Sequence, residues 1–256
     1  MNKFGPPDNS SLHINFKSKL NENYLELVNW NHKEISEFFQ IKSHHNILDM
    51  GCGYGRLAVP LIKILSSGSY LGIELRKEPI DWANETFKEK QNINFKYIDL
   101  FSQFFNPEGK VKVLENQELF GNSGDIKFDL IIFHSVFTHL LKSSIDQYLD
   151  LIEEGLNDCN FSGSIVTMYL FSEKDRCSGS LKTASLPFVD NGEDIIFEFP
   201  DNPEFTVAIQ KEWFDYELTK RNLHIENIKY GSWINSLENN GCRDGQDLVF
   251  IKKGTK

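Results

Sequence analysis

Ile47–Leu61 reads ILDMGCGYGRLAVPL. An apolar run with one acid leads into glycines at alternate positions, Gly51, Gly53 and Gly55, and an amphipathic stretch follows. The pattern predicts a strand, a tight turn and a helix, the arrangement with which many α/β folds hold a nucleotide. The strand is Asn46–Met50, ended by the glycines. From Arg56 to Leu65 the residues Leu57, Ala58, Leu61, Ile62 and Leu65 share one helical face. Pro60 falls early in that helix, where a missing N–H is tolerated.

The rest of the chain repeats the alternation. Phe16 to Gln40 is rich in helix formers, with apolar Leu25, Leu27, Val28, Ile35, Phe38 and Phe39. Ser69–Leu75, Ile93–Leu100, Phe128–Ser135 and Gly163–Phe171 read as further strands. Pro79 opens a helix striped by Ile80, Ala83 and Phe87. Ser144 and Gln147 resemble a capping box ahead of a helix striped by Ile145, Tyr148, Leu149, Ile152 and Leu156. Residues 209–222 read as a last helix, and LHIENIKYGSW and DLVFIKK as two closing strands. Strands alternating with helices imply an α/β fold with a parallel sheet and helices on both faces. Two links, 101–127 and 172–209, exceed the usual length and leave the carboxyl ends of strands, where such sheets bind ligands. They read as substrate-facing insertions, the second with DIIFEF and EFTVAI as small strands.

The glycine spacing limits the ligand. A dinucleotide turn follows G-x-G-x-x-G, but the sixth position from Gly51 is Arg56, and the glycine is Gly55. Asp49 stands two residues before Gly51, and a carboxylate at the mouth of the turn repels pyrophosphate and attracts a cation. S-adenosyl-L-methionine offers an ammonium and a sulfonium and no phosphate. Glu74 ends the second strand and can accept from ribose hydroxyls, as it would in a dinucleotide fold as well. Asp99 ends the third strand, where it can accept from an adenine amino group, with the N–H of Leu100 beside it.

The segments ILDMGCGYGR, YLGIEL and YIDLF resemble the first three motifs of class I S-adenosylmethionine-dependent methyltransferases. FNPEGK, FHSVFTHLL, YLFSE and the closing GSW…GQDLVFIKK resemble a bacterial subgroup associated with glycan or small-metabolite modification. The resemblance implies a Rossmann-like, seven-stranded, mostly parallel sheet with one antiparallel strand. The first fifteen or so residues, with Gly5-Pro6-Pro7, read as an irregular arm, so that 1–45 is an N-terminal arm with helices and 46–256 the methyltransferase domain with the two insertions, in a chain whose length favours one domain over two. The resemblance places Asp49, Gly51, Gly53 and Arg56 around the methionine end of the cofactor, Glu74 on the ribose, and Leu75, Asp99 and Leu100 around adenine, with Cys52 and Gly55 of the same turn also counted among the cofactor-binding residues. One departure is LNDCNFSG where the family has LKPGG before the fifth strand; that alters a turn.

Methyl transfer needs an acid/base residue only where the acceptor must lose a proton. His134 and His139 flank SVFT at the end of the fourth strand. Each is suited to proton transfer near neutrality, or to packing and hydrogen bonding alone. No N-P-P-Y motif is present, which favours oxygen over nitrogen as the acceptor atom. Phe4, Phe101, Phe104, Phe105 and Phe137 are candidate pocket walls among 21 phenylalanines. Trp233 and Arg243 bracket the last loop, where Arg243 could pair with an anionic acceptor. His44 and His45 read as surface. Asp146, Asp150, Glu153 and Glu154 read as a solubilising helix face.

With 256 residues and 40% hydrophobic content, the chain can bury one substantial core. A net charge of −10 and a pI near 5.2, without a basic stripe, argue against a nucleic-acid partner. Cys52, Cys159, Cys177 and Cys242 are scattered, without zinc spacing, as in a reduced cytoplasmic protein with no metal site. No stretch has the length of a membrane span. The expectation is a cytoplasmic methyltransferase acting on oxygen of a small molecule or glycan precursor, as in polysaccharide biosynthesis. The alternatives are a protein or amine N-methyltransferase and a catalytically inactive cofactor-binding subunit. An NAD-dependent reductase is disfavoured by Arg56 and Asp49.

Overall fold

The structure, a computed structural model, describes residues 20–113, 126–234 and 245–254, with side chains from residue 28. Phe4, Leu25, Leu27, Cys242 and Arg243 therefore lie outside the described side chains. Helices α1 (Leu20–Phe38), α2 (Ala58–Ile64) and α3 (Lys77–Phe87) alternate with strands β1 (Asn46–Met50), β2 (Ser69–Glu74) and β3 (Ile93–Tyr97). Strands β4 (Leu130–Phe133) and β5 (Gly163–Met168) flank α4 (Lys142–Gly155). There follow β6 (Leu170–Phe171), α5 (Glu173–Ser178), β7 (Ile195–Phe197), β8 (Val207–Gln210), α6 (Lys211–Thr219), β9 (Leu223–Lys229) and β10 (Asp247–Lys253). The main sheet has seven strands in the order β3-β2-β1-β4-β5-β10-β9. β10 runs antiparallel to both β5 and β9, and the β1–β2, β2–β3 and β4–β5 pairs are parallel. This is the Rossmann-like order with one antiparallel strand.

The chain forms two compact units, Met1–Ile98 and Asp99–Lys256. In the first, Leu48 and Ile47 of β1 are fully buried, as suits a strand that pairs in parallel with β2 inside the sheet. The α3 stripe is buried through Pro79, Ile80, Ala83 and Phe87. His45 departs from its reading as surface: it is 3% exposed, its Nδ1 accepts from the Lys42 N–H at 3.0 Å, and its ring packs on Phe39. It fastens the turn before β1, while His44 is exposed.

In the second unit the α4 stripe is buried as its spacing predicts. The helix starts at Lys142, with Leu141 as a cap that makes no side-chain bond, so Ser144 and Gln147 form no capping box. Asp146 and Asp150 do more than solubilise. Both pair with Arg221, at 3.2 and 2.6 Å, and Arg221 also reaches Glu217 at the end of α6. Glu153 is half-buried and Glu154 exposed.

The expected fifth strand, 163–171, is divided at Tyr169. The fully buried Asp247 accepts from the Leu170 N–H at 2.7 Å, the Trp233 Nε1–H at 2.9 Å and the Gly231 N–H at 2.6 Å. Leu170 and Phe171 then join a second sheet, β6-β8-β7, built from the two small strands read in the 172–209 insertion. Phe171, Leu181, Phe188, Ile196, Ala208 and Trp233 make its own apolar core. Trp233 therefore braces this core.

Candidate functional site

The turn after β1 is left-handed at alternate residues: Gly51, Gly53 and Gly55 have φ of 73°, 53° and 72°. Two of them need glycine for different reasons. A Cβ on Gly55 would lie 2.7 Å from the Phe95 ring, so Gly55 lets the turn pack on β3. A Cβ on Gly53 would meet nothing within 4 Å, so Gly53 presents bare backbone to open space. Four N–H groups of the turn are spent locally. Those of Gly51 and Cys52 donate to the Ile73 carbonyl at 2.8 and 3.0 Å, and that of Gly55 to the Cys52 carbonyl. The Gly53 N–H donates to Glu74 Oε2 at 3.1 Å.

Glu74, 5% exposed, also accepts from the Arg76 N–H and Nε at 3.1 Å each, and from its NH2 nitrogen at 3.3 Å. The chain thus supplies its own carboxylate where a diphosphate would look for donors. Nearby, Tyr54 donates to Glu78 at 2.7 Å and packs edge-on against Trp82. Leu75 is half-buried, and Cys52 is a buried free thiol whose Sγ lies 3.6 Å from the Gly53 carbonyl.

Asp49 is 1% exposed, and so is enclosed rather than open at the mouth of the turn. Its Oδ2 accepts from the Tyr70 hydroxyl at 2.6 Å, and its Oδ1 is buried with no hydrogen-bond partner among the described residues. Burial pushes its pKa up to about 7; the Tyr70 bond and the Arg56 charge pull it down, and Glu74 pushes it up further. Sequence reading missed Tyr70. Asp49 is in register with Gly72, and Tyr70 lies two residues earlier on the same face of β2. A tyrosine diagonally opposite an interior acid was the available signal.

In the second unit, Asp99 lies past the end of β3. Its Oδ1 accepts from Asn106 Nδ2 at 3.2 Å, which also donates to the Leu100 carbonyl at 3.0 Å. Leu100 bridges to Val111, so the start of the first insertion folds back on its own root. Ser102 and the Phe104 N–H bond Glu204 of the second insertion at 2.7 and 3.3 Å. Phe104 and Phe105 form an aromatic group with Phe205 and His139. Phe101 and Phe104 are exposed, whereas Phe137 is fully buried against Phe133, Tyr148 and Phe214.

His134 and His139 stand in different surroundings. His139 Nδ1 donates to the Glu204 carbonyl at 3.0 Å, with the Phe205 carbonyl also close, and burial lowers its pKa. His134 follows β4 directly, with Nδ1 3.3 Å from Ser135 Oγ. No group of three or more metal-binding side chains occurs among the described residues, and none of their helices is long and apolar enough to cross a membrane.

Comparison with known proteins bears on what this architecture carries. Residues 48–158 match the protein-family model described as a methyltransferase domain. The matched stretch runs from β1 past α4 and so includes the glycine turn, Glu74, Asp99 and both histidines. A ribosomal RNA small subunit methyltransferase H from Mycoplasma pneumoniae is 32% identical over 80 residues, 31% of this chain and 26% of that protein. The chain spans about a quarter to a third of the length of the curated relatives it matches. The fold is shared with an S-adenosylmethionine-dependent methyltransferase from Clostridium acetobutylicum (TM-score 0.52, 14% identity, covering 90% of this chain and 92% of that one). It is shared also with magnesium protoporphyrin IX methyltransferase from Synechocystis, solved with bound SAH (TM-score 0.51, 10% identity, covering 98% and 91%).

Proposed function

We propose that this chain is an S-adenosyl-L-methionine-dependent methyltransferase that methylates oxygen on a small molecule, such as a sugar, a glycan precursor or a linked phosphate group. The observation that supports it most is the enclosed Asp49 carboxyl, with its unpartnered Oδ1, in the strand that leads to the bare backbone of Gly53. A buried polar atom without a partner is costly, and a cationic ligand group offsets that cost where a diphosphate adds to it.

When bound, the cofactor supplies an electrophilic methyl group on a positively charged sulfur. Asp49 counters the cationic methionine end, with Gly51, Cys52, Gly53, Gly55 and Arg56 around it. Glu74 accepts from the ribose hydroxyls, exchanging part of its contact with Arg76. Leu75, Asp99 and Leu100 border the adenine. The chain's remaining task is to align the acceptor oxygen and exclude water, with a histidine taking the proton from a hydroxyl acceptor. The net charge of −10 argues against a nucleic-acid acceptor. The free thiols Cys52, Cys159 and Cys177 suit a reduced, cytoplasmic setting.

The test is release of S-adenosylhomocysteine from S-adenosylmethionine with separate panels of sugars, nucleotide sugars and amines. Turnover with hydroxyl acceptors is expected. Turnover with amines alone contradicts the oxygen assignment, and none with any panel favours a binding subunit. Glu74→Ala should weaken S-adenosylhomocysteine binding by ~2–4 kcal/mol; unchanged binding removes Glu74 from the ribose.

A further inference from the structure

The carboxyl end of β4 holds a backbone conformation that local sequence does not favour. Ser135 has φ of 58°, in the left-handed region that is costly for a residue with a Cβ. The other such non-glycine residue described is Asn222, φ 52°, which follows the end of α6, where a left-handed residue closes a helix and asparagine tolerates it. Ser135 closes no helix. β4 ends at Phe133, and the next element is a single 3₁₀ turn, Phe137–His139.

Three hydrogen bonds hold Ser135 there. Its N–H donates to Oγ1 of the fully buried Thr167 at 2.7 Å, and its hydroxyl donates to Gln246 Oε1 at 3.1 Å. Its Oγ also lies 3.3 Å from His134 Nδ1. A left-handed residue fixed by several partners at a strand end is the form in which binding sites hold strain.

A serine hydroxyl has one proton. With that proton on Gln246, Oγ meets His134 as an acceptor, so Nδ1 carries the N–H and Nε2 carries the lone pair. The geometry points to Ser135 as a positioning residue that holds His134 in the Nδ1–H tautomer, so that His134 Nε2 receives the proton of a hydroxyl acceptor. This rests on the methyl-transfer reading and separates the two histidines. His139, between Phe104 and Phe105 and against the Glu204 carbonyl, anchors the 203–205 turn. In the reaction the acceptor O–H proton passes to His134 Nε2. The acceptor oxygen bonds the methyl carbon as the carbon–sulfur pair returns to sulfur, leaving a neutral thioether. The imidazolium then loses its proton to solvent.

The test reads the His134 tautomer by imidazole ¹⁵N NMR in the wild type, Ser135→Gly and Ser135→Ala, with S-adenosylhomocysteine affinity measured on the same samples. Glycine keeps the left-handed backbone without strain, and alanine keeps the strain; both remove the hydroxyl. The wild type should show Nδ1–H, both variants should move toward Nε2–H with affinity unchanged, and turnover of hydroxyl acceptors should fall by ~10²-fold. An Nε2–H wild type, or a tautomer that neither variant moves, overturns the assignment while leaving the methyl-transfer reading intact. A wild type that binds no S-adenosylhomocysteine overturns that reading, and this one with it.

Discussion

The turns after β1 and β4 both carry left-handed backbone at the carboxyl end of a buried strand, yet the first uses glycines and the second a serine. At Gly53 and Gly55 the missing side chain is the point: one position leaves open space, the other admits the Phe95 ring. At Ser135 the side chain is the point, because its hydroxyl links Gln246 and His134. On the proposed reading, the first turn clears room for a ligand and the second aims a functional group. The same backbone conformation therefore serves opposite chemical ends.

Substitutions can break this contrast in order of effect. Gly55→Ala drives a Cβ into Phe95 and strains the backbone, so it should cost ~2–4 kcal/mol of stability by denaturant titration. A cost under ~1 kcal/mol would mean that the turn yields easily. Asp49→Asn tests the enclosed acid through pH. The folded pKa of Asp49 is raised, to about 7 from 3.8. Below the lower value both folded and unfolded chains hold the proton. Between the two values only the folded chain holds it, so this group erodes stability as pH rises and the penalty is constant above about 7. The erosion runs at ~1.4 kcal/mol for each pH unit between the two values. The variant should lack that decline and exceed the wild type at high pH by a few kcal/mol. Parallel stability curves would contradict the burial argument.

Gly53→Ala should cost only ~1–2 kcal/mol in stability while reducing S-adenosylhomocysteine affinity by ~10-fold or more, since its Cβ enters the open space; ~1.4 kcal/mol corresponds to that factor. Unchanged affinity would place the ligand elsewhere. Ser135→Gly has the smallest expected effect on stability, within ~1 kcal/mol, because relief of strain offsets the lost hydrogen bonds.

The same contrast explains what the sequence revealed. The turn after β1 was legible because glycines at alternate positions after an apolar run have few other uses, and the alternation of strands and helices carried the main sheet. Ser135 was not legible: its conformation depends on Thr167 and Gln246, 32 and 111 residues away. The break at Tyr169 was hidden for a related reason. Residues 163–171 read as one apolar strand, and only Asp247, which takes the Leu170 N–H, sends the chain into a second sheet. The enclosure of Asp49 and the burial of His45 were missed because a motif names residue types and their spacing, and burial follows from what packs above them.

Calorimetric titration with S-adenosylmethionine and, separately, with NAD tests the central claim most directly. At a pH just below 7, S-adenosylmethionine should bind with release of ~0.5–1 proton as Asp49 ionises against the cation, a release that Asp49→Asn abolishes, and NAD should not bind. Binding of NAD in preference, or binding of S-adenosylmethionine with no proton released, would contradict the account of an enclosed acid that receives a positively charged ligand.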